Sequence, residues 1–147
     1  MRIIKLFVVC VGLTALSSCS VKKYIPEDEF LYTGAKLEIE TDGKSENFDK
    51  VVSELEDVIR PKPNSKLGVY FHYKVQREKP GFINRFFNKR MGEEPVYESH
   101  INPQHTKDVI NNRLENNGFF INTISSEIVR NEKKKKSEAV YKINVGE

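Results

Sequence analysis

Residues 102–146 constrain the fold more than any other stretch, because they spell a capped helix that runs directly into two strands. Asn102 has a side chain that accepts from the free N–H groups of a first helical turn. Pro103 suits the first helical position, where its fixed φ fits and its missing N–H is not needed. Val109, Ile110, Leu114 and the methyl of Thr106 fall on one helical face, with Lys107, Asn111, Asn112 and Glu115 elsewhere. Gly118 takes the left-handed stop position at no steric cost. A strand is predicted over residues 119–130, in which Phe120, Ile124 and Ile128 share a face. A second is predicted over residues 138–145, with Ala139, Tyr141, Ile143 and Val145 on one face and Lys142 and Asn144 on the other. The lysine-rich run at 131–137 between them reads as a solvated turn that discourages edge pairing, with a polyanion site as the alternative. Helix and hairpin each have one side to bury.

Upstream, residues 31–40 alternate Ala35, Leu37 and Ile39 with Lys36, Glu38 and Glu40, the period of a half-buried strand. Thr41, Asp42, Gly43 and Lys44 make a turn. Residues 47–60 place Phe48, Val51, Val52, Leu55, Val58 and Ile59 at helical spacing, and Pro61 and Pro63 end that helix. Residues 66–75 fit two descriptions. Leu67, Val69, Phe71, Tyr73 and Val75 alternate as a strand does, yet a short helix accepts the same apolar load. Residues 81–91 look helical, with Phe82, Ile83, Phe86 and Phe87 clustered.

From Lys66 to Arg90 seven Lys or Arg residues accompany one acidic residue, Glu78. Two readings follow. The aromatics pack as an insertion onto the core with the charges solvated, or Lys74, Arg77, Phe82, Arg85, Phe86, Lys89 and Arg90 form a contact for a membrane or a protein. Rings then enter the headgroup region while cations meet anionic lipid. Nucleic acid attracts the same residues, but an exported, anchored chain seldom meets it.

Export is the reading of the N-terminus. Arg2 and Lys5 precede an apolar run over residues 6–16, too short to span a bilayer, which closes on Leu16, Ser17, Ser18 and Cys19. This resembles a bacterial lipobox, which implies a signal peptide over residues 1–18, cleavage between Ser18 and Cys19, lipidation of Cys19, and a tether over 19–30. Cleavage lowers Lys plus Arg from 24 to 22 against 21 acidic residues, so the mature chain is near neutral. Cys10 leaves with the signal and Cys19 carries lipid, so no thiol remains for a disulfide, a redox motif or a metal. Two or more acyl chains make such an anchor effectively permanent. No Asp of the inner-membrane retention type follows Cys19, and no acidic run like a surface-export signal, which by resemblance favours the periplasmic face of an outer membrane.

Catalysis is the weaker class. His72, His100 and His105 have no paired spacing for a metal, no nucleophile elbow or phosphate loop is present, and Glu93-Glu94 beside Pro95 reads as a loop. No cofactor is expected.

The predicted order strand, helix, helix, strand, strand, with Leu114 through Phe120 leading into the hairpin and Val140 through Glu147 closing it, resembles the POTRA domain. Together with the lipobox and the stretches at 60–64, 74–82 and 92–96, it is similar to the start of the TamL family. These are the lipoprotein form of the translocation and assembly module found in Bacteroidetes, within the BamA and TamA superfamily. The resemblance implies an α+β fold for residues 31–147, a three-stranded mixed sheet with two helices on one face, interrupted by an aromatic and basic insertion at about 66–92. It implies partners among unfolded or nascent outer-membrane proteins and other subunits of the module. It also implies an edge strand, the first of the hairpin, where Phe119, Ile121, Thr123 and Ser125 meet a client. The family continues into further repeats and a membrane barrel, and nothing in this sequence reads as barrel strands. The expectation is a lipid-anchored interaction domain, read as a truncated fragment. The competing expectation is a stand-alone periplasmic lipoprotein that binds a peptide, an envelope component or a lipid.

Overall fold

The computed structural model describes residues 21–41, 48–77 and 79–146. The expected signal peptide, Ser18, Cys19 and most of the 41–44 turn lie outside the described residues. Among those described, the chain is α+β, with a three-stranded mixed sheet and four helices. In chain order these are β1 (Leu31–Thr41), α1 (Phe48–Val58), α2 (Lys66–Arg77), α3 (Phe82–Met91), α4 (Pro103–Asn116), β2 (Asn122–Asn131) and β3 (Lys136–Val145). They fall into two compact units, one of Pro26–Pro63 with Val96–Glu147, the other of Met1–Ile25 with Asn64–Pro95.

The first unit holds the sheet, in the order β1-β3-β2. The hairpin makes β2 and β3 antiparallel, whereas β1 runs parallel to β3. A parallel pair needs a long crossover, and that chain includes α1 and α4. Both cover the same sheet face. Val51 and Leu55 of α1 and Ile110 and Leu114 of α4 join Tyr32, Ala139, Tyr141, Ile143 and Val145 in one buried cluster. Each of the Val, Leu and Ile side chains contributes roughly 1.5–3 kcal/mol relative to exposure. Thr106 bonds the Tyr141 hydroxyl within this core, and burial pushes the Tyr141 pKa up.

β1 is not a uniform strand. Tyr32 pairs with Ser137 and Ala35 with Ala139, so three steps on β1 oppose two on β3. The extra residue is absorbed at Thr33-Gly34, where Gly34 has a φ of +123°, and a Cβ there would sit 3.3 Å from Pro63 Cγ. This bulge lets Tyr32 and Ala35, three apart, both face the core.

α4 starts and stops as its sequence dictates. The His105 N–H donates to Asn102 Oδ1 at 3.0 Å, and Pro103 occupies the first turn. At the far end Gly118 N–H donates to Glu115 O and Phe119 N–H to Leu114 O, both at 3.0 Å, with Gly118 at φ +91°. That six-to-one and five-to-two pair of bonds aims Phe119 inward, where its ring meets Phe48 edge-on at 5.8 Å. The expected burial of Phe120 with Ile124 and Ile128 is therefore corrected. Phe120 is 75 % exposed, because residues 119–121 precede β2 and strand alternation does not extend back through the helix stop. The lysine turn is also more than a solvated loop. Lys135 has a φ of +53°, and its ammonium donates to the carbonyls of Pro26 and Glu27 beside the Phe30 ring.

In the second unit residues 66–77 are helical, which resolves the two descriptions open in sequence. Ser65 Oγ accepts from Gly68 N–H at 3.0 Å as the cap of α2, and Val69 and Tyr73, one turn apart, are both buried. Glu93 lies across that helix start, accepting from Ser65 N, Ser65 Oγ and Asn64 Nδ2. These bonds, chiefly those from Ser65, hold its pKa below the usual carboxylate range. A Cβ at Gly68 would come within 2.7 Å of the Glu93 carboxylate, so a larger residue there makes that carboxylate shift. Val21, Tyr24 and Ile25, expected in a tether, are buried instead, and the Tyr24 ring stacks on Tyr73 at 5.4 Å.

Candidate functional site

β3 is central, so β1 and β2 each present an edge. Their main-chain groups are not equally available. On β1 the first half of the edge is occupied, because Tyr32 N–H donates to Val96 O and Glu98 N–H to Phe30 O, and the bulge follows at once. A straight run remains only from Ala35 to Thr41. β2 is regular over all ten residues, contains no proline, and pairs with β3 from Asn122 to Asn131 without a shift in register.

Which groups of β2 face outward follows from one hydrogen bond. Gly146 N–H donates to Ile121 O at 2.8 Å, and Ile121 and Gly146 continue the register of the hairpin. In an antiparallel ladder bonded and non-bonded pairs alternate. The main-chain groups of Thr123, Ser125, Glu127, Val129 and Asn131 therefore point at β3, and those of Asn122, Ile124, Ser126, Ile128 and Arg130 point out of the sheet. Among the described residues, no loop or strand donates a backbone hydrogen bond to that outward set. Beside it lies a shallow groove lined by Gln104, Lys107, Asp108 and Asn111 of α4 with Asn122 and Ile124. An extended segment laid there meets a free ladder on one side and amide, carboxylate and ammonium groups on the other.

The edge is held at one end by an ion pair. At its far end Arg130 Nε donates to both carboxylate oxygens of Glu98 at 3.0 Å, and its guanidinium lies 5.2 Å from the Phe30 ring. The Arg130 hydrogen bonds hold the Glu98 pKa below the usual range. The sheet face away from the helices is charged, with Lys142 bonded to Glu127 at 3.1 Å and Lys36 to Glu38 at 2.8 Å around the buried Val140.

The four residues expected at the edge have different placements. Phe119 packs against the core, Ile121 is exposed with its carbonyl engaged by Gly146, and Thr123 and Ser125 expose side chains on the outer face. None of their main-chain groups in β2 is free for a partner. Among the described residues, the donors and acceptors left open belong to Asn122, Ile124, Ser126, Ile128 and Arg130. Strand alternation in the sequence reports side-chain faces, not the phase of the hydrogen bonds.

The aromatic and basic set is brought together in part. Phe82, Arg85, Phe86, Lys89 and Arg90 are exposed on α3, and Lys74 is half-buried on α2. Arg77 ends α2, with its side chain outside the description. No residue of α3 is buried, so these aromatics do not pack as core. Among the described residues there is no group of His, Cys, Asp and Glu able to hold a metal, and no helix long and apolar enough to cross a membrane. Comparison with protein-family models, with curated proteins and with solved structures finds no match.

Proposed function

We propose that this chain is a lipid-anchored interaction module that takes up an extended protein segment along the open edge of β2. The observation that carries the reading is the unbroken ten-residue edge with five outward-facing residues unpaired beside the α4 groove. Such an edge adds a strand through main-chain hydrogen bonds, and the neighbouring groove sorts the added side chains. Natural sheets usually blunt an edge of this length with a bulge, a proline or lysines, and β2 has none of these.

The sheet topology supports a POTRA-like identity: β1 parallel to β3, β2 antiparallel, and α1 and α4 on one face. With Cys19 as the lipidated N-terminus, the module sits at the periplasmic face of an outer membrane as part of an assembly factor of the TamL type. Its partners are then unfolded or nascent outer-membrane proteins and other subunits of the translocation and assembly module. The mechanism is holding and handing on of extended chain, with no covalent step and no cofactor.

The phase of the hydrogen bonds supplies the test. A photo-crosslinking side chain at Thr123, which is exposed beside the edge, reports client capture in cells. Ser126→Pro removes only an outward N–H and should abolish crosslinks while the circular dichroism spectrum stays native. Ser125→Pro removes an N–H that bonds β3 and should destabilise the fold. Undiminished crosslinking by a folded Ser126→Pro variant would sink the proposal.

A further inference from the structure

We infer that α3 is an interfacial helix that lays its apolar face into the headgroup region of an anionic phospholipid surface. At 3.6 residues per turn Phe82, Ile83, Phe86, Phe87 and Met91 cover an arc of about 180°. In the structure that arc is open: Phe82 is 84 % exposed, Ile83 67 % and Phe86 51 %. Only one margin is docked, where the Phe87 ring stacks on Phe71 of α2 at 5.2 Å and the Phe86 ring meets Phe87 edge-on. A ten-residue helix is marginal alone, and so many uncovered apolar side chains mark a surface meant for a partner.

Charge and chain placement identify the partner as lipid. α3 contains no acidic residue; Arg85 and Lys89 flank the apolar arc and Arg90 lies within it. Rings and cations of one sign, interleaved in this way, match the boundary between acyl chains and anionic headgroups better than they match a protein surface of mixed charge. The same unit also holds the start of the described chain, because Val21, Tyr24 and Ile25 are buried and Tyr24 stacks on Tyr73 of α2. Cys19 lies two residues before Val21 in the sequence. This part of the argument rests on the lipoprotein reading: acyl chains on Cys19 tie this unit, rather than the sheet, to the bilayer. The helix then gives the anchored unit a second point of attachment.

The sequence contains no tryptophan, so a single introduced indole reports one site. The mature protein carrying Phe86→Trp is placed on vesicles of phosphatidylethanolamine with phosphatidylglycerol, prepared with and without brominated acyl chains. Val129→Trp, on β2, is the control. The Phe86→Trp probe should shift to the blue and be quenched by brominated lipid, and the Val129→Trp probe should do neither. Arg85→Gln and Lys89→Gln should each lower the ratio of inserted to free helix about fivefold. Phosphatidylcholine alone should support little quenching. The mass of the mature protein reports acylation of Cys19 separately. A protein without acyl chains therefore refutes the lipoprotein reading, while a Phe86→Trp probe quenched by added vesicles still upholds the helix contact. A probe unquenched on vesicle-bound protein overturns the inference, as does one shielded only in a lipid-free dimer.

Discussion

Replacing Gly118 with alanine should lower the stability of the sheet unit by about 1 kcal/mol, for a reason that can be isolated. Gly118 has a φ of +91°, and a Cβ built there meets no atom within 4 Å. Packing therefore contributes nothing to the cost, which is that of holding a Cβ-bearing residue in left-handed backbone, about 1–2 kcal/mol. Stiffening the unfolded chain offsets about 0.4–1 kcal/mol of this. For a unit of this size a net loss near 1 kcal/mol lowers the melting temperature by about 4–8 °C. Thermal and urea unfolding followed by far-ultraviolet circular dichroism measures it. Gly118→Asn should be the milder change, because asparagine tolerates left-handed backbone. An alanine variant as stable as the parent, or an asparagine variant worse than alanine, would refute the argument that this turn is a purely conformational requirement. The consequence reaches the candidate site, since the same turn bonds Phe119 to Leu114 and delivers the chain into β2.

Other outcomes follow from individual contacts. Leu114→Ala, at a fully buried position under the sheet, should cost about 2–5 kcal/mol in urea unfolding. Glu98 is depressed below its usual value of 4.5 by Arg130, so its contribution is complete above that pH and fades as pH falls through the folded value; Glu98→Gln should flatten the stability profile on the acid side. Burial pushes Tyr32 up to about 12 from 10.0, so the folded state holds that proton and stability falls as pH rises from 10 towards 12; Tyr32→Phe should flatten this alkaline limb in a pH series of melts.

What was legible in the sequence was local. The cap at Asn102, the proline at 103 and the stop at Gly118 are set by neighbouring residues, and all three are found as expected. Residues 66–77 were ambiguous because Leu67, Val69, Phe71, Tyr73 and Val75 satisfy two periods. The helix is accompanied by contacts remote in sequence, with Glu93 at its start and Tyr24 on Tyr73. The bulge had a local signal, an isolated glycine inside a strand pattern, but alternation from Ala35 onward concealed the phase change behind it. The outward ladder of β2 had none. Thr123 and Ile124 are both reasonable strand residues, and only the pairing of Ile121 with Gly146 decides which offers its backbone.

The interruption of β1 has a consequence for how many partners the sheet can hold. The bulge at Thr33-Gly34, the Val96–Glu98 contacts and Pro63 over Gly34 break up one border of the sheet, so the unbroken border is that of β2. Two unbroken borders would let identical copies join end over end without limit, the geometry of a growing fibril. Deleting Thr33 or Gly34 would leave Tyr32 and Ala35 two apart, in step with Ser137 and Ala139, and would straighten the strand. That shorter chain would be more regular and less safe. A single surplus residue thus helps keep one border of the sheet from matching the other.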